Sequence, residues 1–183
     1  VRPKPAGLPE GEFILYVGAL SAHKGVDLLI QAHRRLARPV PLVLIGHGDP
    51  QPWRTLAGTG DVRVLQHVPN EQIHGAMAAA TLAVMPSRWA EPFGLVAIEA
   101  MAAGTALVAS RIGSLPEIVG DAGLVVEPKA VPMAAAIDSL LADPARRELL
   151  GHAGKRRATW FTASAVVPRY LAAYEAAKRS GTT

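Results

Sequence analysis

The chain has 183 residues, half of them hydrophobic, and no cysteine. That length supports one sizeable core or barely two small ones, and the composition excludes disulfides and thiolate metal sites. The formal charge of +4 favours anionic partners, but the basic residues are scattered apart from Arg146-Arg147 and Lys155-Arg156-Arg157, aromatics are few, and no nucleic-acid motif is present, so no nucleic-acid partner is expected.

Residues 1–12 carry Pro3, Pro5 and Pro9 with Gly7 and Gly11 and read as an extended linker, the mark of a domain boundary. Phe13 to Val17 is a short apolar run closed by Gly18, a buried strand. After the loop Gly18 to Gly25 comes a helix, with Val26, Leu29, Ile30, Leu36 and Ala37 on one stripe. His33 shares that stripe and reads as a packed, satisfied histidine. Lys24 stands after a strand and before a helix, where a cation can meet a diphosphate, although a solvated lysine fits equally. Pro41 to Ile45 is the second strand. It leads to Gly46-His47-Gly48, which lacks the third glycine of a dinucleotide fingerprint, and a tight turn explains it as well. Val62 to Leu65 is the third strand. Gln66-His67-Val68-Pro69 follows, with Asn70 as the expected N-cap of a helix running to Ala79.

Thr81 to Met85 is the fourth strand, and the loop and helix after it organise the chain. Ser87 to Gly94 holds Pro92, an exposed Trp89 and Glu91. From Leu95 the pattern turns helical and continues toward Gly104, with Glu99 one turn inside. The first amides of a helix have no internal partners and lie at the positive end of its dipole. The amides of Phe93, Gly94 and Leu95 can therefore hold phosphate oxygens. Carboxylates accept hydrogen bonds from sugar hydroxyls, and Glu99 stands roughly 6 Å along the helix. A diphosphate with a polyol at each end, such as a nucleotide sugar, suits this spacing. Taken singly, Glu91 reads as well as a cap and Glu99 as a solvated helix residue.

Ala106 to Ala109 is a fifth strand, Gly113 to Val119 a turn and short helix, and Gly123 to Val126 a last strand. Helices are expected over Pro132 to Leu141, Pro144 to Ala153 and Ser164 to Lys178. Strand and helix alternate with short loops, which predicts an α/β, Rossmann-like parallel sheet with helices on both faces. The loops Gly18 to Lys24, Gly46 to Asp49, His67 to Pro69 and Glu91 to Gly94 all follow strand ends, so they gather on one edge. No Asp-x-Asp occurs, the histidines show no metal spacing, and no metal or other cofactor is expected. No run reaches the ~18 apolar residues of a membrane span.

The string Glu91-Pro92-Phe93-Gly94-Leu95-Val96-Ala97-Ile98-Glu99-Ala100-Met101 resembles the Glu-seven-residues-Glu signature of retaining glycosyltransferases of the group 1 type, family 4, with GT-B architecture. The resemblance implies the donor-binding half of such an enzyme. Residues 1–12 would be the interdomain linker and 13–160 the nucleotide-sugar domain. Residues 161–183 would form a helix reaching toward a domain outside this chain. It implies that Glu99 holds the ribose hydroxyls and that Glu91 contacts the transferred sugar. Lys24 with the amides at Phe93, Gly94 and Leu95 would hold the diphosphate, Gly18 would shape the donor loop, and Val68 would offer backbone groups to the base, with His67 stacking. The family pattern has an arginine where Ala19 stands and glycines where Gln66 and Ser114 stand. Arg88, or a residue beyond this chain, is the expected stand-in for that arginine. The acceptor, lipid-linked or a glycan, belongs to the other half. The expected location is cytoplasmic, with room for peripheral attachment at the inner membrane surface. The rival readings are a nucleotide-binding module without catalysis and a GT-B-like epimerase or phosphorylase fragment.

Overall fold

Short apolar runs bounded by Gly, Pro and polar residues become strands, and these pair in parallel. A computed structural model describes residues 3–180; residues 1–2 and 181–183, the outer ends of the expected linker and last helix, lie outside the described residues. The strands are β1 (Ile14–Val17), β2 (Leu42–Ile45), β3 (Val62–Leu65), β4 (Leu82–Met85), β5 (Leu107–Ser110) and β6 (Leu124–Val126). They form a sheet in the order β3-β2-β1-β4-β5-β6, each neighbouring pair parallel. The chain builds outward from β1 to β3, then returns to the other side of β1 at β4. Connections on the two sides of that reversal diverge, which opens a crevice at the carboxyl ends of β1 and β4.

The helices are α1 (Val26–His33), α2 (Gln51–Ala57), α3 (Asn70–Ala79), α4 (Leu95–Ala103), α5 (Leu115–Val119), α6 (Ala130–Leu141), α7 (Pro144–Ala158) and α8 (Ala163–Ser180). They cover both faces of the sheet. Ile14 and Tyr16 pack with α1 and α6, while Phe13 and Leu15 pack with α3 on the opposite face. Ala83, Met85, Leu107 and Ala109 bury against α4 and α5. This two-sided burial explains why the strands are continuous apolar runs and not alternating ones.

Several boundaries differ from the expected ones. Helix α1 stops at His33, short of Leu36 and Ala37. Pro39 and Pro41 force extended backbone before β2, and the His33 Nε2 meets the Val40 carbonyl at 2.6 Å, a satisfied histidine as expected. Helix α2 was not foreseen. It begins beside Pro50 and Pro52, where proline suits a first turn, and its seven residues bury Trp53 and Ala57 one turn apart, too short for a visible period. Asn70 is not the cap. Pro69 holds the N-cap position in extended backbone, and its carbonyl accepts from the amides of Gln72 and Ile73. Helix α7 continues five residues past Ala153, with Lys155, Arg156 and Arg157 in its last turn, where cations complement the dipole. The proline-rich start packs on the domain: Pro5 is buried, and Glu12 pairs with Arg38 at 2.7 Å and Arg147 at 3.3 Å.

Candidate functional site

Two loops meet across the crevice, one after β1 and one after β4. Lys24 closes a single 3-10 turn (Ala22–Lys24), and Gly25, at φ 76°, caps α1. A side chain at Gly25 would stand 1.9 Å from the Pro86 carbonyl oxygen. Glycine thus brings the Lys24 turn against the end of β4. The amides of Arg88 and Trp89 then donate to the His23 carbonyl at 3.0 Å, which clasps the loops together. Trp89 itself remains exposed and meets the His23 ring edge-on, with 6.4 Å between centroids.

The clasp brings together two residues 67 positions apart. The Lys24 Nζ donates to the Glu91 Oε1 at 2.7 Å, with both side chains largely withdrawn from solvent. Buried Ser87 places its hydroxyl 3.0 Å from the same Oε1 and 3.0 Å from the Trp89 carbonyl, and its one proton serves either. The Glu91 Oε2 has no hydrogen-bond partner among the described residues, so that oxygen can accept from a ligand hydroxyl. Behind the pair, the Tyr16 hydroxyl donates to the Ala19 carbonyl at 2.7 Å. Burial, and secondly the negative charge of Glu91, pushes the Tyr16 phenol well above its ordinary range, so it stays neutral. Below Glu91 runs the loop after β5. Gly113, at φ 55°, leaves no room for a side chain, since a Cβ there would lie 2.5 Å from the Glu91 amide nitrogen. The Ser114 amide donates to the Glu91 carbonyl at 3.0 Å.

These elements surround an open cavity of about 540 Å³ at the switch point of the sheet. Six of the expected site residues line it: Gly18, Lys24, Glu91, Phe93, Gly94 and Leu95. Helix α4 starts at its rim, with Gly94 as N-cap at φ 74°. Val68 and Glu99 do not line it. Val68 is half-buried and packs against the core under α3. Glu99 lines a second cavity of about 520 Å³ between α3 and α4, with Glu71, His74 and Pro3. The two acids therefore flank the start of one helix but open into neighbouring cavities.

Arg88 does not stand in for an arginine at position 19. Its guanidinium donates to both carboxylate oxygens of Asp27 on α1, at 2.8 and 2.7 Å, and it is not among the cavity residues. Gln66 has a structural task, with its amide donating to the Gly48 carbonyl at 2.7 Å and joining the loops after β2 and β3. His67 beside it adopts a positive φ of 56° and is exposed. Sequence reasoning missed Ser87 and Tyr16, and it reads Gly113 as part of a turn without its packing against the Glu91 backbone. Only the four-residue spacing of Ser87 and Glu91 offered a signal, and such a spacing is common. Among the described residues no three metal-capable side chains cluster, and no helix is long and apolar enough to cross a membrane.

Residues 2–157 match the family model described as glycosyl transferases group 1. The chain is 41% identical over 179 residues to a glycogen synthase of Mycobacterium tuberculosis, covering 87% of this chain and 42% of that protein. It is 36% identical over 174 residues to O-antigen chain mannosyltransferase B of Escherichia coli, covering 89% and 45%. Among solved structures, the sucrose-phosphate synthase of Thermosynechococcus elongatus superposes with a TM-score of 0.81 at 33% identity, covering 95% of this chain and 47% of that one. The chain thus spans about half the length of the relatives it matches.

Proposed function

This chain belongs to the glycosyl transferase group 1 family, and from that premise we propose that it is the donor-binding half of a retaining enzyme that moves a sugar from a nucleotide diphosphate sugar to an acceptor. The observation that carries the reading is the Lys24–Glu91 pair at the mouth of α4, set in a cavity at the sheet's switch point. The diphosphate lies at the helix mouth, against the amides of Phe93, Gly94 and Leu95 and the Lys24 ammonium. The free Oε2 of Glu91 accepts from a hydroxyl of the transferred sugar. The nucleoside extends along α4 toward the second cavity, where Glu99 accepts from the ribose hydroxyls.

As the sugar–phosphate bond breaks, negative charge grows on the leaving diphosphate. Groups already aimed at it stabilise that state more than the intact donor. The acceptor then attacks the oxocarbenium-like carbon on the face the diphosphate leaves, which retains configuration. The acceptor site belongs to a half not in this chain. Helix α8 presents a surface for that half: Val167, Tyr170, Leu171 and Tyr174 lie at helical spacing and are all at least half exposed.

Isothermal titration of the chain with uridine, guanosine and adenosine diphosphates and their sugars tests the reading. Binding of at least one is expected, and binding of none would reject it. One observation favours a second reading, a nucleotide-binding module without catalysis: Ala19 and the engaged Arg88 leave Lys24, among the described residues, as the only lysine or arginine lining the cavity. Turnover by the longer protein, with release of nucleoside diphosphate as the sugar is transferred, excludes that module and an epimerase or phosphorylase as well.

A further inference from the structure

Without His47, the side chains lining the cavity beside Glu91 carry no net charge to set against the ligand proposed for it. Its ionisable lining groups are Tyr16, Lys24, His47 and Glu91. The Tyr16 phenol is neutral, and the Lys24 ammonium sits 2.7 Å from the Glu91 carboxylate, so these three sum to zero. A sugar diphosphate diester brings two negative charges. Among the described residues, His47 is the one remaining lining group that can turn positive.

The sheet sets where His47 stands. β1 and β2 pair with Val17 opposite Ile45. Beyond the strand ends the ladder continues, because the Gly18 amide donates to the Ile45 carbonyl at 3.0 Å and the Leu20 amide to the His47 carbonyl at 2.8 Å. Carried on two residues, that register puts Ala19 opposite His47, and both line the cavity. Partners across a parallel pair share a face of the sheet, so the small Ala19 side chain leaves the His47 imidazole clear access. The loop is held from three sides. Gly46 packs against the Gly18 carbonyl, Gln66 holds the Gly48 carbonyl at 2.7 Å, and the Trp53 Nε1 donates to the Leu20 carbonyl at 3.2 Å. His47 is exposed and makes no side-chain hydrogen bond among the described residues, which leaves its ring nitrogens for a ligand.

We propose that His47, in its protonated form, is the second cation for the donor diphosphate and makes donor affinity depend on pH near neutrality. The proposal rests on the donor-site reading above. Imidazole is the side chain whose ordinary charge change falls between about pH 5 and 8. The other ionisable groups lining the cavity are Tyr16 and Lys24 from the β1 side and Glu91 from the loop after β4; Asp49 follows two residues on in the same loop, and His67 stands in the loop after β3 that Gln66 joins to it. The anionic ligand favours the protonated ring, so donor affinity falls as pH rises.

The test is isothermal titration of the 183-residue chain with uridine, guanosine and adenosine diphosphate sugars at pH 5.5, 6.5, 7.5 and 8.5. Diphosphate diesters are used because a terminal phosphate would itself titrate in this range. Wild-type affinity should drop about five- to tenfold across the series, the difference between a charged and a neutral hydrogen bond. His47→Gln should bind at the weak level throughout, and His47→Arg at the tight level throughout; circular dichroism checks that both fold. A flat wild-type profile, or a slope that survives in His47→Gln, would overturn this inference and leave the donor site standing. No binding by wild type at any pH would overturn both.

Discussion

Glu91 and Glu99 lie eight residues apart, one just before α4 and one a turn inside it, yet their surroundings differ in kind. Glu91 is held by Lys24, Ser87 and the backbone of Ser114, over a glycine that admits no side chain. Glu99 lines the groove between α3 and α4, with no hydrogen bond or ion pair among the described residues. One acid is built into the scaffold and the other stands free for a ligand. Damage near Glu91 should therefore appear in stability as well as binding, while damage at Glu99 should appear in binding alone.

The largest effect is expected beneath Glu91. Gly113→Val should cost about 3 kcal/mol in denaturant unfolding, because a β-branched residue at positive φ adds strain to a clash with the Glu91 backbone. Ala102→Ser in the groove of Glu99 should stay within about 0.5 kcal/mol of wild type; equal losses would erase the contrast. Next comes Glu99→Ala, which should weaken nucleotide binding about tenfold or more in calorimetry, the loss of charged hydrogen bonds, with an unchanged melting temperature. Glu91→Ala should weaken nucleotide binding less, and the reverse order would reject the roles assigned to the two acids.

A smaller loss is expected for Ser87→Ala, about 1 kcal/mol of stability, since the Trp89 carbonyl and Glu91 share its one donor. The last effect is absent at neutral pH and grows only in alkali. The folded-state pKa of Tyr16 is raised above its ordinary 10.0, so its contribution to stability is complete below pH 10 and is lost as pH rises beyond it. Wild type should lose on the order of 1 kcal/mol more per pH unit above pH 10 than Tyr16→Phe does. Parallel alkaline denaturation curves for the two proteins would remove Tyr16 from the account.

Much of the fold was legible from local pattern. Apolar runs between glycines and prolines marked the strands to within a residue, because burial on both faces needs just such runs. Their alternation with helices required parallel pairing, and the loops after β1, β2, β3 and β4 share one edge for that reason. Helix α2 escaped because seven residues with two buried side chains show no period. The site was legible in part. Gly94 and Leu95 mark a helix mouth by their residue types alone, and Lys24 and Glu91 stand on loops that any such sheet brings to one edge.

Other features depended on which strands became neighbours. A sequence records, near each residue, the preference for burial and for backbone angles. It carries no local mark of contacts between positions far apart. Only the order β3-β2-β1-β4 sets Lys24 on Glu91 across 67 residues and Ala19 opposite His47. Only the packing of α3 on α4 gives Glu99 a groove of its own, and only the fold ties Arg88 to Asp27. Those contacts form when separate elements dock, so their energies belong to the assembled sheet and not to any one stretch of chain.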